Sequence, residues 1–447
     1  MADGHATAAR RLILVELNEI NFEIARRYAT ANRLPGTQKL LANASIHTSA
    51  EERYEALEPW IQWPSVHSGM TAGEHKIFRL GDIVNSDIPQ IFEELERRGL
   101  RVGAVSAMNA ANRLSNPAYF IPDPWTRTPA DNSWWSRALT AAISQAVNDN
   151  AKSSITPRSA AHLALALVRF ARPKHYLKYI QLALGSRRAP WRKALLLDLL
   201  LHDLHYRMFR AHRADFSTLF LNAGAHIQHH YFFNSTVLRD ELSMRNPSWY
   251  VSEQADPVGE MLEVYDLILS DYLDQPDVDL IVATGLSQRP YDRVKFYYRL
   301  RDHDAFLRLA GVEYREVLPR MTRDFLVEFA DAAAASAAER RLHSIMCDGE
   351  PLFAEIDNRG TSLFVTLTYP KEITEATQFE VDGKKLPLHP HVAFVAIKNG
   401  MHQGRGFAYF TPNVSAYAPR DGDHIKELHG TILRFFHGAP AAAAQGA

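Results

Sequence analysis

The sequence predicts an α/β protein with a mostly parallel sheet flanked by helices, a helical cap insertion and a small β-rich insertion. Short apolar runs rich in β-branched residues occur at 12–17, 100–107, 217–222 and 279–284; such runs indicate buried strands. Helical patterns at 20–31 and 88–98 lie between the first strands. Strand, helix and strand in this order and spacing are typical of a parallel sheet.

The elements follow one another in five predicted segments. The α/β core begins at 10–132, is interrupted by the helical cap at 133–214, continues at 215–344, is interrupted again by the β-rich insertion at 345–398, and ends at 399–439. Leu-Pro-Gly at 34–36 predicts a turn, residues 323–345 a helix, residues 352–397 strands, and residues 424–436 a final helix.

Composition excludes several classes of protein. The chain has 447 residues, 46% of them hydrophobic and 23% charged, with a net charge of −1, so a packed core is expected and nothing points to nucleic acid. The single cysteine, Cys347, cannot form an internal disulfide. With no signal-peptide pattern and no run of 18 apolar residues, we expect a cytoplasmic protein without a membrane span. The sequence indicates no particular oligomeric state.

The predicted cap is strongly basic. Residues 151–197 contain ten Lys or Arg residues and no Asp or Glu. One interpretation is a positive face that attracts an anionic substrate or makes peripheral contact with a membrane, with Arg172 and Lys174 clamping phosphate. The other is a set of solvated helix faces. His202, Asp203 and His205 are interpreted first as one helix face and second as a ligand pair.

Four motifs occur in the order found in one known superfamily. They are the strand at 12–17 running into Asn18, the stretch from Pro59 to Ile77 with Trp63, Ser65, Ser68-Gly69 and His75, the stretch from Ile227 to Phe232 around His229, and the stretch from Gly400 to Gly406 around His402. Together they resemble the phosphodiesterase and sulfatase branch of the alkaline-phosphatase-like superfamily. The resemblance implies that fold, and hydrolysis of phosphate or sulfate esters at two divalent ions.

The motifs depart from the superfamily at most ligand positions. On the register above, Asn18 and Ala225 stand where the superfamily has Asp, Pro59 where it has the nucleophile, and Thr284-Gly285-Leu286-Ser287 where it has Ser-Asp-His-Gly. His229 and His402 remain as metal ligands, joined by His226 if the motif is shifted by three residues. The resemblance therefore implies one divalent metal at most, Zn or Mn, and a two-metal site is not expected.

Several residues are candidates to replace the lost catalytic groups. Glu16 or Glu58 is the expected replacement carboxylate, and Glu19, beside Asn18, is a third choice. Ser65 and Ser68 are candidate nucleophiles that His67 or His229 would activate, although serines at such places more often cap a helix or bond the backbone. Adjacent histidines after a strand, as at 229–230, are also often plain surface.

The substrate-binding prediction rests on the position of polar residues. Ligands of open α/β sheets bind at the carboxyl ends of the strands, where the sequence places Asn18, Gln62, Trp63, Ser287 and Gln288; core packing is the alternative for Trp63. Two functions remain open. One is a hydrolase or transferase acting on an anionic phosphate- or sulfate-bearing substrate, such as a nucleotide-sugar or glycan phosphate, with single-metal or metal-free chemistry. The other is a pseudoenzyme that binds an anionic ligand or a protein partner.

Overall fold

A computed structural model describes residues 10–148, 156–320 and 323–437, and its centre is a seven-stranded sheet. In order across the sheet, the strands are β2 (Ala44–Ser49), β17 (Arg405–Phe410), β6 (Asp279–Ala283), β1 (Leu12–Leu17), β5 (Phe216–Leu221), β3 (Val102–Val105) and β4 (Tyr119–Ile121). β17 is antiparallel to both its neighbours, and the other ladders are parallel. The α/β fold class predicted from the sequence is confirmed.

β1 lies at the centre of the sheet because all six of its side chains are buried. Alternate residues point to opposite faces of a strand, so Ile13, Val15 and Leu17 enter one apolar cluster while Leu12 and Leu14 enter another. Helices cover both faces. The core helices are α1 (Phe22–Asn32), α2 (Pro35–Leu41), α3 (Pro59–Ser68), α4 (Ala72–His75), α5 (Ile91–Arg97), α10 (Ala223–Tyr231), α11 (Pro257–Leu273), α14 (Pro412–Ser415) and α15 (Glu427–His437).

The turn predicted at 34–36 is wrong, because α2 begins there. Pro35 occupies the first turn of this helix, where its missing N–H would have had no partner in any case. Gly36 packs directly against α11, and an added Cβ would lie 2.3 Å from the carbonyl oxygen of Asp266. Pro35 and Gly36 therefore mark the start of a helix at the point where it makes a tight contact with α11.

The segment predicted to be a helical cap is helical in its described residues. It contains α6 (Trp134–Asn148), α7 (Pro157–Phe170), α8 (Tyr176–Gly185) and α9 (Arg192–His212). α9 packs on β3 and β5 of the sheet, and α7 and α8 pack on α9. α7 and α8 therefore form an outer layer over α9. Lys152, one of the ten basic residues, lies outside the described residues.

A second apolar core, running from Phe296 to Ile397, lies beside the sheet. The strands β7 (Ser287–Leu300) and β16 (Val392–Gln403) lead into and out of it as a long antiparallel pair. Between them lie α12 (His303–Leu309), β8 (Glu316–Pro319), β9 (Asp324–Glu328), α13 (Ala332–His343), β10 (Met346–Cys347), β11 (Glu350–Pro351), β12 (Glu355–Asn358), β13 (Ser362–Thr366), β14 (Gln378–Val381) and β15 (Lys384–Pro387).

The helix predicted at 323–345 is wrong in its first part, where β9 lies. Phe325 and Val327 are buried and alternate with more exposed neighbours, the period of a strand. The five-segment division of the chain stays a prediction, and the second core draws on residues from both sides of position 345.

Among the described helices, none is both long enough and apolar enough to cross a bilayer.

Candidate functional site

Three side chains meet at the carboxyl end of the sheet and form what we call the strand-end triangle. Glu19 Oε2 lies 3.1 Å from His229 Nε2 and 3.1 Å from His402 Nε2. The two imidazole nitrogens are also 3.1 Å apart. One carboxylate and two imidazole donors therefore converge on a single point, although their residues are up to 383 positions apart in the chain.

Glu19 is held at this point by the turn that follows β1. The residue is 2% exposed and has a φ of 62°, a left-handed conformation that a non-glycine residue adopts at a cost of about 1 kcal/mol or more. Its backbone oxygen accepts hydrogen bonds from the Gln228 side chain (2.8 Å) and the Gln288 N–H (3.2 Å), and Gln288 Nε2 also bonds its carboxylate. These contacts fix a conformation that the turn alone would not favour.

His229 and His402 reach the triangle from different parts of the fold. α10 begins directly after β5, so it carries His229 to the carboxyl end of the sheet. His402 lies near the end of β16, opposite Gln288 of β7 and beyond the part of this strand pair that belongs to the second core. The triangle therefore joins two residues next to the central sheet, Glu19 and His229, with one residue of the β7–β16 pair that leads into the second core.

The charges within the triangle stabilise one another. Burial acts to lower the pKa of His402, but the charge and hydrogen bond of Glu19 outweigh it and raise the pKa to about 9. Burial acts to raise the pKa of Glu19, yet His402 and His229 hold it far below its ordinary value. Each of the two groups therefore favours the charged form of the other.

The donor set fits a divalent cation. Ligands bound to zinc at about 2.0–2.1 Å lie roughly 3.0 Å apart in octahedral and 3.4 Å apart in tetrahedral geometry, and the three atoms here are 3.1 Å apart. Imidazole and carboxylate suit zinc and manganese. Three protein ligands with room for another are typical of catalytic rather than structural zinc sites.

Glu58 lies behind His402 at the start of α3. Its Oε2 is 3.8 Å from His402 Nδ1, and its side chain is 30% exposed. Burial raises the pKa of Glu58 to about 7, and Glu19 adds to that rise while His402 opposes it. A carboxyl group with a pKa near neutrality can both accept and give a proton, as general acid–base chemistry requires.

Basic and aromatic side chains lie on the β7–β16 pair near Glu58. Lys398 is within electrostatic reach of Glu58, Lys295 and Arg323, and burial together with the two like charges lowers its pKa. The Lys398 ammonium lies 4.9 Å from the centre of the Tyr291 ring. Like charges gathered in this way repel one another, and an anion bound among them would relieve that repulsion.

The structure does not bring the other predicted catalytic residues to the triangle. Glu16 is fully buried, and its Oε1 lies 2.9 Å from His67 Nε2, which is buried as well. The Ser65 hydroxyl lies 3.0 Å from His75 Nε2 and 3.3 Å from the Ile61 carbonyl oxygen. These contacts occupy Ser65 within the α3–α4 region, as the helix interpretation expected. A catalytic role for Glu16, Ser65 or His67 stays a prediction.

The predicted substrate-binding residues lie in the buried wall of the site. Their exposed fractions do not exceed 1%: Asn18, Gln62, Trp63, Ser287 and Gln288. Asn18 accepts a hydrogen bond from Trp63 Nε1 (2.9 Å) and donates one to Asn222 (2.8 Å). Gln62 Nε2 donates to Ala56 O (2.9 Å), and Ser287 bonds the Arg405 carbonyl oxygen. Substrate contact by these five residues stays a prediction, and their observed contacts position neighbouring residues.

His226, the third predicted metal ligand, is exposed on α10, and its ring centre is 4.8 Å from that of His230. The third residue of the triangle is Glu19, which the sequence offered only as a third choice, and metal binding by His226 stays a prediction. β1 ends at Leu17, so Glu16 still belongs to the strand and points into the core. Counting outward from the end of the strand would have favoured Glu19.

A second group of potential ligands is buried in the cap, and we call it the cap cluster. It comprises His175, His202, Asp203 and Asp271. His202 Nε2 lies 2.8 Å from Asp271, and His175 Nδ1 lies 2.7 Å from Asp203. Arg172 and Lys174 also form ion pairs with Asp271. His202 and Asp203, predicted mainly as one helix face, therefore belong to a buried polar network.

No protein-family model matches the chain, and no curated protein matches it. Several solved structures are similar in fold. Phosphonoacetate hydrolase from Sinorhizobium meliloti 1021, in complex with phosphonoformate, has a TM-score of 0.45 at 11% identity, covering 96% of each chain. Murine ectonucleotide pyrophosphatase/phosphodiesterase 5 has a TM-score of 0.42 at 10% sequence identity, covering 98% of each chain. Alkaline phosphatase from the Antarctic bacterium TAB5 has a TM-score of 0.42 at 9% sequence identity, covering 96% of this chain and 99% of the phosphatase.

At these TM-scores and identities the likeness carries no argument about the site, which rests on the contacts described above.

Proposed function

We propose that this protein is a single-metal enzyme that hydrolyses or transfers a phosphate or sulfate ester. The observation that supports it best is the strand-end triangle, in which Glu19, His229 and His402 place three donor atoms 3.1 Å apart. The site lies where open α/β sheets bind their ligands. The four sequence motifs supply the ester class, because they resemble those of enzymes with that chemistry.

The three residues of the triangle would hold one divalent cation, zinc or manganese. When bound, such an ion supplies Lewis-acid stabilisation of negative charge and lowers the pKa of water. Glu19 brings one negative charge, and the two neutral imidazoles bring none. Gln288 and Gln228 keep Glu19 in place, so its carboxylate is already positioned for binding.

Glu58 is the candidate acid–base group of the reaction. In hydrolysis, a water oxygen forms a bond to phosphorus or sulfur, and the bond from that atom to the ester oxygen breaks. One proton leaves the water and one is needed by the departing alkoxide. Glu58, with a pKa of about 7, can accept the first and supply the second.

Recognition of the anion falls to the basic side chains of the β7–β16 pair. Lys398 lies within electrostatic reach of Glu58, and Arg289 within reach of Tyr54, whose neighbours also include Glu58 and Glu19. Tyr54 and Tyr291 add aromatic surface beside these charges. A substrate with an anionic group and a ring or sugar would use both features, and this is the basis for proposing a nucleotide-sugar or glycan phosphate.

The first experiment is elemental analysis of the purified protein after chelation and reloading with zinc or manganese. We expect about one equivalent in the wild type, as one three-ligand site implies, and none in the His229→Ala/His402→Ala variant. His226→Ala is the matched control, since it removes an exposed histidine one turn away on the same helix. The absence of metal in the wild type would contradict the proposal.

The second experiment is a hydrolysis assay of the reloaded protein with aryl phosphate monoesters, aryl phosphodiesters and aryl sulfates. Turnover by the wild type and the His226→Ala control, but not by the double variant, would support an enzyme. One observation favours the alternative, a protein that binds an anion without turning it over: the position of the nucleophile is taken by Pro59, whose side chain cannot attack. Metal binding and anion binding without turnover would support that alternative.

A further inference from the structure

The outer surface of the cap is unusually apolar for a surface exposed to water. α8 exposes Leu177 (68%), Ile180 (54%) and Leu184 (81%), and α7 exposes Leu165 (49%) and Val168 (83%). The spacing of three and four residues within α8 places its three side chains on one face. Because α7 and α8 form the outer layer over α9, these side chains point away from the core.

Basic side chains flank these exposed apolar residues along the chain. Five of them are exposed and form no ion pair with any described residue: Arg158, Arg169, Arg187, Arg188 and Lys193. They lie at the two ends of α7, just after α8 and at the start of α9. The other described basic residues of the segment are paired with carboxylates: Arg172 and Lys174 with Asp271, Lys178 with Glu263, and Arg192 with Glu260.

Positive charge is concentrated in the cap, and negative charge in the rest of the chain. The segment at 151–197 carries ten positive charges and no negative ones, whereas the whole chain has a formal charge of −1, so the rest of the chain carries −11. A molecule with this separation is pulled toward an anionic surface by its cap and pushed away by the remainder. Electrostatic attraction alone would therefore orient the protein with its α7–α8 face toward the anionic surface.

We propose that the α7–α8 face of the cap binds the surface of an anionic lipid bilayer. Amphipathic helices with a basic rim bind the interface in this way, burying apolar side chains below the headgroups while Lys and Arg contact anionic lipids. A second copy of the chain is the less suitable occupant. A symmetric dimer would bring the same patch of both copies together, and each patch is positive with no acidic residue in its own segment.

The experiment is co-sedimentation of the full-length protein with vesicles. The wild type is expected to bind vesicles of phosphatidylcholine mixed with phosphatidylserine, to bind pure phosphatidylcholine far more weakly, and to be released from the mixed vesicles as salt is raised. Equal binding to both vesicles, or binding to neither, overturns the proposal.

Two sets of variants separate the apolar and the electrostatic contributions. Leu177→Ser/Ile180→Ser/Leu184→Ser is expected to weaken binding at least about 100-fold. Arg187→Gln/Arg188→Gln is expected to weaken it about 30-fold, since each basic group at an anionic surface contributes roughly fivefold. Leu309→Ser, exposed on α12, and Arg293→Gln, exposed on β7, are the matched controls and should bind as the wild type does.

The mass of the protein in solution distinguishes the remaining occupant. If the wild type is a dimer that the α8 triple variant converts to monomers, and neither binds vesicles, the face is a contact between copies and the proposal is wrong. Because the substituted side chains are exposed, the variants should keep the circular dichroism spectrum of the wild type. The arginine variant, which removes no apolar group, tests the proposal independently should the triple variant fail to fold.

Discussion

The strand-end triangle and the cap cluster contain the same kinds of residue, yet their surroundings make them different. In the triangle, Glu19 faces two imidazoles and side-chain amides. In the cap cluster, Asp271 is already neutralised by Arg172 and Lys174. A cation entering the cap cluster would have to displace two fixed positive charges. Histidine and carboxylate at ligand distance therefore do not define a metal site until the neighbouring charges are counted.

The two groups also differ in exposure and in the charge of their histidines. The side chains of His229 and His402 are 26% and 11% exposed, whereas the cap cluster is buried throughout. Glu19 raises the pKa of His402, but burial and nearby positive charges lower the pKa of His202 well below its ordinary value. We infer that the triangle is arranged to bind and the cap cluster to hold the cap on the sheet.

The largest effect is expected when the cap cluster loses its central carboxylate. Asp271→Asn leaves the largely buried Arg172 without its counter-charge and His202 without its carboxylate partner, which should cost about 3–5 kcal/mol of the free energy of unfolding. Urea denaturation measures this loss, and the metal content should not change. Asp277→Asn is the control, because its ion pair with Arg11 is exposed and should contribute less than about 1 kcal/mol. Loss of metal in Asp271→Asn would erase the distinction between the two groups.

The reverse result is expected at the triangle. Glu19→Gln removes the one charged ligand and should weaken metal affinity more than about 100-fold, the upper range seen for residues that only support ligands. Competition with a chromophoric chelator measures the affinity. The free energy of unfolding of the metal-free variant should change far less than that of Asp271→Asn. A variant that binds metal as tightly as the wild type would show that Glu19 is not a ligand.

Glu58 should have a smaller effect on the metal and a larger one on turnover. Its carboxylate faces the free nitrogen of His402 at 3.8 Å, so Glu58→Gln should weaken metal affinity about tenfold by orienting that ring less firmly. If Glu58 transfers protons, the variant saturated with metal should also lose the limb of the pH–rate profile near pH 7. A profile that is unchanged in shape would leave Glu58 as a support for His402 alone.

The smallest expected effect is a dependence of stability on pH that comes from the cap. Burial lowers the pKa of His205 to about 3, and both of its nitrogens are hydrogen-bonded, to Tyr272 (2.6 Å) and Ser217 (2.9 Å). On unfolding it binds a proton below its ordinary pKa of about 6.5. The contribution of His205 to the free energy of unfolding is therefore complete above about pH 6.5 and is lost as the pH drops toward 3, by about 1.4 kcal/mol at about pH 5.5.

His402 should act in the opposite direction in the metal-free protein. Its pKa is raised to about 9, so its contribution is complete below about pH 6.5 and is lost as the pH rises through 9. Urea denaturation at acid, neutral and alkaline pH separates the two. His205→Gln should flatten the acid side of the profile and His402→Gln the alkaline side. If either variant flattens the other side, the assignment of the two histidines is wrong.

The sequence predicts the sheet better than the elements around it. β1, β5 and β6 are short apolar runs buried on both faces. Runs of this length are too short for a buried helix, so they indicate strands. The start of α2 at Pro35 depends on a contact between Gly36 and α11 that is 230 positions away in the chain. β9 was missed because the Ala-rich run of α13 follows it closely and extends the helical pattern backward.

The candidate site could be predicted in part. The motifs brought together His229 and His402, which the structure places 3.1 Å apart. Glu19 was not preferred over Glu16 and Glu58, although the end of β1 at Leu17 was a usable signal; the left-handed turn that aims Glu19 at the two histidines depends on distant contacts with Gln228 and Gln288. The cap cluster joins His202 on α9 to Asp271 on α11, and only the packing of those helices makes the contact.

The central position of β1 has a consequence for synthesis on the ribosome. β1 is made first, but its partners β5 and β6 end at Leu221 and Ala283. At roughly 5–20 residues per second, the completed strand waits about 10–50 s for both neighbours. Until β5 is made, the five apolar residues of β1 have no partner strand. This topology therefore leaves an apolar strand unpaired early in synthesis, a stage at which nascent chains are prone to aggregate.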